Sequence, residues 1–253
     1  MSDIALSIVT VCFNAAQTIE RTILSVFNQT YRNYEYIIID GKSIDTTNLI
    51  IKKYIPLFQE KGIVVKYISE SDSGIYDAMN KGIHLAEGRW IQFLNADDRY
   101  CDNNVLCKIF CSNDIEKFDI LYGEAYYFNK THKWAKVSYP LNKLCEYMTI
   151  SHQATFVKTD LCRTQPFDTR YKISADYNMI LQFYLKGYSF YELNFPIVDF
   201  CTEGISNQCI WKCELEDMKI RHNLRIRNMY LPTTIIYEIL KYAKRVVYSK
   251  CKK

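Results

Sequence analysis

The stretch Trp90-Ile91-Gln92-Phe93-Leu94-Asn95-Ala96-Asp97-Asp98 runs a short apolar segment straight into a tight acidic loop. An apolar run of this length, bounded by Gly88 and by an Asn/Asp cluster, reads as a buried strand opening onto a turn. Carboxylates bunched at a strand end repel each other unless a cation or a proton task compensates them. Mg2+ and Mn2+ take one or two carboxylates and let substrate phosphates complete their shell. Spacing alone therefore leaves two readings open, a solvated turn or a metal-binding loop.

Working back toward the start, the same kind of strand recurs. Ile4–Val11 is rich in β-branched residues and is followed by the loop Phe13-Asn14-Ala15-Ala16. Ile19, Ile23, Val26 and Phe27 then recur at helical spacing. Tyr34–Ile39 is a second strand, ending in Asp40-Gly41-Lys42-Ser43, and Asp45 is placed to cap the next helix, whose apolar face is Leu49, Tyr54, Ile55 and Phe58. Ile63–Ile68 is a third strand, and Ile75, Met79, Ile83 and Ala86 mark a helix stopped near Gly88. This alternation predicts an α/β fold with a mainly parallel sheet and helices on both faces. Ligands of such sheets bind beyond the carboxyl ends of the strands. Cys12-Phe13-Asn14, Asp40 and Asn95–Asp98 are all at such ends and are expected to share one cleft.

Beyond the acidic loop the pattern is less regular. Phe118–Tyr122 reads as a strand, Ala125–Phe128 and Trp134–Val137 as a hairpin, and His152–Val157 as a further strand. A helix is predicted over Ala175–Leu185, ended by Gly187, and two more over 208–229 and 233–249, broken at Pro232. The expected organisation is one α/β domain over 1–207, with a small second antiparallel sheet, and a helical extension over 208–253.

A chain of 253 residues with 49% hydrophobic content can bury one sizeable core. Ten cysteines occur without a Cys-x-x-Cys; the pairs Cys107/Cys111 and Cys209/Cys213 at i,i+4 are expected to be free thiols. With no leader-like start, this predicts a reducing, cytoplasmic setting. The net charge of +4 is uneven: residues 212–253 hold eleven Lys and Arg against four Asp and Glu, and the rest hold 21 against 24. Basic character confined to a tail argues against a nucleic-acid binder. No Gly-x-Gly, no Gly-Lys-Ser/Thr and no Gly-x-Ser-x-Gly occurs, which sets aside the dinucleotide fingerprint, the phosphate loop and the hydrolase elbow.

Taken in order, these segments resemble the inverting glycosyltransferases of family two, which have the GT-A fold. The resemblance runs over about residues 4–207. Its pieces are Leu6-Ser7-Ile8-Val9-Thr10-Val11-Cys12-Phe13-Asn14, Ile38-Ile39-Asp40-Gly41-Lys42-Ser43-Ile44-Asp45, the run Ser69–Gly82 containing Ser73-Gly74-Ile75-Tyr76-Asp77-Ala78-Met79-Asn80-Lys81, Phe93–Asp98, Ser151-His152-Gln153-Ala154, and Ile173-Ser174-Ala175-Asp176-Tyr177. The Ser69–Gly82 run is close to a form common in a bacterial polysaccharide-biosynthesis branch.

The resemblance implies a nucleoside-diphosphate sugar donor, a UDP-sugar, held by Thr10, Cys12, Phe13, Asn14, Asp40, Ser43, Asn95 and Ala96. Phe13 would lie against the base, and Asp40 would accept a hydrogen bond from it. Asp97 would bind Mg2+ or Mn2+ at the diphosphate, with Asp98 assisting. Asn95 stands where the family's metal motif has its first acid, so Asp97 carries more of that task. Asp176 would be the catalytic base for a glycan or lipid-linked hydroxyl acceptor. His152 and Gln153 would touch acceptor or diphosphate, and Gly204, in Glu203-Gly204-Ile205-Ser206-Asn207, would hinge a lid. Asp77, Asn80 and Lys81 fall on one helix face, by their i, i+3, i+4 spacing, and are expected to look into the donor cleft. The tail stripe Ile236, Ile239, Leu240, Ala243, Val246 and Val247, bordered by Lys241, Lys244 and Arg245, suits either contact with an anionic membrane surface or docking on the core. The rival functions are a nucleotidyltransferase and a nucleotide-sugar-binding module without turnover.

Overall fold

Apolar and β-branched residues fill β1 (Leu6–Cys12) and β2 (Tyr34–Asp40) without a break, and both strands are buried along their whole length. That pattern belongs to strands covered on two faces. The computed structural model describes residues 4–111, 115–128, 132–136, 139–202 and 210–226. Within it, β1 and β2 lie parallel to each other and to β3 (Val65–Ser69) and β4 (Trp90–Phe93). The helices between them are α1 (Ile19–Phe27), α2 (Thr47–Glu60) and α3 (Ile75–Leu85).

The strand order is β3-β2-β1-β4-β8-β6-β9-β5. Here β5 is Arg99–Tyr100, β6 is Ile120–Phe128, β8 is Thr155–Lys158 and β9 is Phe190–Cys201, while β7 (Lys133–Lys136) pairs with β6. Strand β8 is antiparallel to β4 and to β6, whereas β9 runs parallel to β6. The sheet is mixed, and its antiparallel strands continue the parallel half in one surface.

Side-chain alternation splits the core in two. Leu6 and Ile8 join one cluster with α1, α2 and α4 (Val105–Phe110). Val9 and Val11 join the other with α3, α5 (Thr159–Thr164) and α6 (Ala175–Leu185). Gly82 lets α3 press onto β1: a Cβ there would stand 2.4 Å from Val9 Cγ1. The last described helix, α7 (Ile210–Asn223), adds fully buried Ile220 to the second cluster.

Several expectations need correction. The two predicted strands Phe118–Tyr122 and Ala125–Phe128 merge into one, β6, which begins only at Ile120. Gly123 and Glu124 suggest a break in the sequence, but they form an irregular step along β9. A Cβ on Gly123 would meet Ile197 at 2.6 Å, so glycine is needed inside a continuous strand. In 152–157 only the end is strand, because His152–Ala154 winds into a 3-10 turn. On α2 the buried stripe is Thr47, Ile51, Tyr54 and Phe58, and Leu49 faces out at 65% exposure. On α3, Tyr76 is buried and Ile75 is exposed. Residues 203–209, with Gly204, and 227–253, with the predicted helix 233–249, lie outside the described residues.

Candidate active site

The carboxyl ends of β1 to β4 converge as expected, and the loops there are cross-tied. Gly41 N–H donates to the Cys12 carbonyl at 2.8 Å. Asn14 N–H donates to Ser43 Oγ at 2.8 Å, and Ile44 N–H donates back to Asn14 Oδ1 at 3.0 Å. Asp45 accepts from Ala16 N–H at 3.2 Å and Thr47 N–H at 3.0 Å, so it links the first loop to the start of α2. Asn14 and Lys42 both have left-handed backbones (φ 49° and 65°). Such conformations persist where surrounding bonds over-determine them, commonly at binding sites. The result is a stiff platform with the Phe13 ring 63% exposed on top.

Asp40 differs from expectation. It has no exposed surface. Its Oδ1 accepts from Ser43 Oγ at 2.5 Å and Ser43 N–H at 3.1 Å, and its Oδ2 accepts from Ser69 Oγ at 2.6 Å. The carboxylate ties the end of β2 to β3 and to the loop that follows β2. Thr10 is likewise fully buried, accepting from the Tyr36 hydroxyl at 3.0 Å, and it does not reach the cleft. Cys12 is buried with its thiol pushed up by that burial and by Asp40.

In the acidic loop, Asp98 N–H closes a turn on the Asn95 carbonyl at 3.0 Å, and Thr22 Oγ1 donates to the Asp98 carbonyl at 2.6 Å. The turn and the metal-loop readings are therefore compatible. Asp98 is buried and turned toward β9, where Oδ1 accepts from Cys201 N–H at 2.8 Å. Burial first, and the Asp97 charge second, push its carboxyl well above the usual carboxylate range. Burial also raises Asp97, against the pull of the Arg21 charge. Asn95 Oδ1 and Asp98 Oδ2 are buried without a protein partner. Two buried, uncompensated oxygens within one four-residue loop that also carries the Asp97 carboxylate fit a hard divalent cation. Among the described residues no three His, Cys, Asp or Glu gather to hold one.

The α3 face also departs from expectation. Asp77 Oδ2 accepts from Ser73 N–H at 2.9 Å, and Lys81 pairs with Glu70 at 2.8 Å while donating to the Ser71 carbonyl at 2.9 Å. Asn80 is occupied by the backbone of Phe167. These side chains are engaged by neighbouring loops, each through a backbone partner within reach of the helix.

Asp176 is in the first turn of α6. The Tyr76 hydroxyl lies 2.9 Å from its Oδ1 and 2.5 Å from the Ile173 carbonyl. His152 stacks on Phe93, the last residue of β4, at 5.5 Å between centroids and meets Phe167 edge-on at 5.7 Å. Burial pushes this imidazole below its usual range, against the pull of the Asp176 charge, and Nε2 has no protein partner. Asp176 and the end of β4 thus share one neighbourhood. Gln153 contributes its backbone carbonyl to Gln92 Nε2 at 2.7 Å, and its side-chain oxygen lies 3.4 Å from Ser151 Oγ.

The sequence model of Glycosyl transferase family 2 matches residues 7–170. The chain belongs to that family. A PGL/p-HBAD biosynthesis glycosyltransferase of Mycobacterium bovis is 31% identical over 174 residues, 68% of this chain and 66% of that relative. The chain spans about two thirds of the length of such relatives. Among solved structures, the Staphylococcus aureus TarS fragment 1–349 in complex with UDP is similar at a TM-score of 0.67 and 18% identity, over 90% of this chain and 67% of that one. The mannosyltransferase PcManGT of Pyrobaculum calidifontis, in complex with GDP-Man and Mn2+, is similar at 0.68 and 14% identity, over 92% and 67%. These neighbours establish the GT-A type of fold.

Relative to this glycosyltransferase family model, Asp176, α6 and α7 lie beyond the matched residues. Sequence reading assigned no part to Ser69, Asp72 or Glu216. Ser69 completes the ring around Asp40, and Asp72 Oδ2 occupies the space over Gly41, beside Phe13, that a Cβ would need. Ser69 and Asp72 lie inside the quoted motif, so that signal was available. Glu216 carried none.

Proposed function

We propose that this family member transfers a sugar from a UDP-sugar to a hydroxyl acceptor with inversion at the anomeric carbon. The observation that carries the reading is the loop Asn95–Asp98, with its uncompensated buried oxygens, at the same sheet edge as the exposed Phe13 ring and Asp176. Phe13 offers the base a flat, sequence-tolerant face. Asp40 acts indirectly by fixing the Phe13–Asn14 and Gly41–Ser43 loops. Asp97 is the principal ligand of Mg2+ or Mn2+, with Asn95 Oδ1 as a neutral partner and Asp98 shaping the loop from below. Bound there, the cation stabilises charge on the departing diphosphate. The UDP complex of TarS and the GDP-Man and Mn2+ complex of PcManGT support a nucleotide sugar and a divalent metal.

Asp176 takes the acceptor hydroxyl proton as that oxygen attacks the anomeric carbon, a contribution of about 10²–10⁴-fold in typical sites. His152 Nε2, lacking a protein partner, is available to a substrate oxygen. The acceptor is a glycan or a lipid-linked sugar in bacterial surface polysaccharide assembly, met at the cytoplasmic face of the membrane, with the basic tail as the contact. No helix among the described residues is long and apolar enough to cross a membrane.

The test is a panel of UDP- and GDP-sugars, scored by metal-dependent thermal stabilisation and by nucleotide release. A donor at 100 times its Kd adds about 2.7 kcal/mol. Turnover in wild type that Asp176→Asn abolishes supports the reading. Stabilisation without turnover for any donor supports a binding module, and no response to any uridine nucleotide removes the UDP assignment.

A further inference from the structure

The backbone of Ile173, three residues before Asp176, is gripped at its N–H and at its carbonyl by elements remote in sequence. Its N–H donates to Glu216 Oε2 at 2.8 Å, from α7, and its carbonyl accepts from the Tyr76 hydroxyl at 2.5 Å, from α3. Glu216 takes two further donors, Lys172 N–H at 2.8 Å through Oε1 and Ser174 N–H at 3.0 Å through Oε2. These three N–H groups lead into the start of α6. A carboxylate that accepts several backbone N–H groups makes charge-assisted bonds, roughly twice as strong as neutral ones.

The grip has rigid ends. Helix α7 is pinned by buried Ile220, by Arg221 donating to the Glu146 carbonyl at 2.8 Å, and by Asn223 donating to the Tyr171 hydroxyl at 2.9 Å. Tyr76 is buried and tilted against Phe167 at 5.3 Å between centroids. An Asp in the first turn of a helix commonly turns back onto the helix's own free N–H groups. Here the donors just ahead of that turn belong to Glu216, and the single hydroxyl proton of Tyr76 is shared between the Ile173 carbonyl and Asp176 Oδ1, 2.9 Å away.

We propose that Glu216 and Tyr76 are positioning residues that set the Asp176 carboxylate by clamping the Ile173 backbone at its N–H and its carbonyl. The inference rests on the reading of Asp176 as the base. It makes α7, which lies beyond the family match, a working part of the site. Displacing a reacting group by about 1 Å can cost 10²-fold, so loosening this clamp acts on turnover more than on donor binding.

The experiment uses the full chain, with UDP release from UDP-N-acetylglucosamine, UDP-glucose and UDP-galactose, water serving as acceptor. In Glu216→Gln, kcat on the best of these donors falls by about tenfold or more, while the donor KM stays within about twofold. Tyr76→Phe, which removes one hydroxyl, moves the same way and serves if Glu216→Gln folds poorly. Amide exchange at 172–174 speeds up in Glu216→Gln while β1 stays protected. Neither substitution lowers the residual rate further once Asp176→Asn is present, because residues acting through one group are not additive. Wild-type kcat in both single variants, with Asp176→Asn inactive, overturns the clamp alone. Parallel changes in kcat and KM, or further loss in the Asp176→Asn background, overturn it in favour of a merely structural role. Asp176→Asn turning over at the wild-type rate overturns the base reading itself, whatever Glu216→Gln does.

Discussion

The side chain of Asn80 and the backbone of Phe167 hold each other by two hydrogen bonds: Nδ2 donates to the Phe167 carbonyl at 2.9 Å, and Phe167 N–H donates to Oδ1 at 2.9 Å. This pair joins α3 to the segment leading into α6, and Phe167 packs on Phe93, Tyr76 and His152. Asn80→Ala leaves both backbone groups unpaired beside a buried ring, at about 1–3 kcal/mol for each group stranded from water. The expected loss is about 2–6 kcal/mol in urea unfolding, with uridine nucleotide affinity unchanged within about twofold. A variant as stable as wild type that binds UDP poorly would instead return Asn80 to the donor cleft.

Much of this frame is legible in the sequence, and the reasons are local. β1 and β2 are apolar runs closed by polar loops, and that pattern is enough to fix a buried parallel strand and its carboxyl end. The ligand-facing loops follow, because topology puts Phe13, Asp40 and Asn95–Asp98 on one edge. Orientation is not legible. Nothing in Asp97-Asp98 says that the second carboxylate turns down to Cys201 N–H, and nothing in Asp40 says that Ser43 and Ser69 donate to it. Helical spacing groups Asp77, Asn80 and Lys81, but the loops that approach that face come from residues 70–73 and 167 and are set by tertiary packing. Glu216 is more than forty residues from the peptides it caps, and no spacing rule reaches that far.

Phe13 projects from a platform built by its neighbours and has few contacts of its own to lose at 63% exposure. Phe13→Ala is expected to leave the unfolding midpoint within about 0.5 kcal/mol of wild type. Stacking on an aromatic ring contributes about 1–3 kcal/mol per base, so UDP affinity by calorimetry falls by about 5- to 150-fold. Equal affinity in the variant would mean that the base rests elsewhere.

Asp97 and Asn95 are predicted to differ in degree. Asp97 brings the charge to the proposed cation site, and Asn95 brings a neutral oxygen with no protein partner. Asp97→Ala is expected to abolish Mn2+-dependent nucleotide release, and Asn95→Ala to raise the Mn2+ concentration for half-maximal rate by about tenfold while sparing the maximal rate. Mn2+ titrations of turnover on each variant separate the two. Asp97→Ala retaining a full metal response would move the cation off this loop.

Asp217, on α7 beside Ser174, is a stability cost at neutral pH. Burial raises its carboxyl to about 6, with the charges of Asp176 and Glu214 adding, against the Ser174 hydrogen bond and Arg221. In the unfolded chain an Asp titrates near 3.9. Between these values the folded state holds a proton that the unfolded state has released, so stability from this group is full below about 4 and lost as pH rises through about 6. A shift of about two units is at most about 3 kcal/mol. Asp217→Asn keeps the shape and removes the ionisation. It is expected to raise stability at pH 7.5 by about 1–3 kcal/mol, to change it little at pH 4, and to flatten the slope between. Urea unfolding at pH 4, 5, 6 and 7.5 reads this directly. An Asp217→Asn protein less stable than wild type at pH 7.5 would mean that the ionised carboxylate is held by Arg221 and that burial does not dominate.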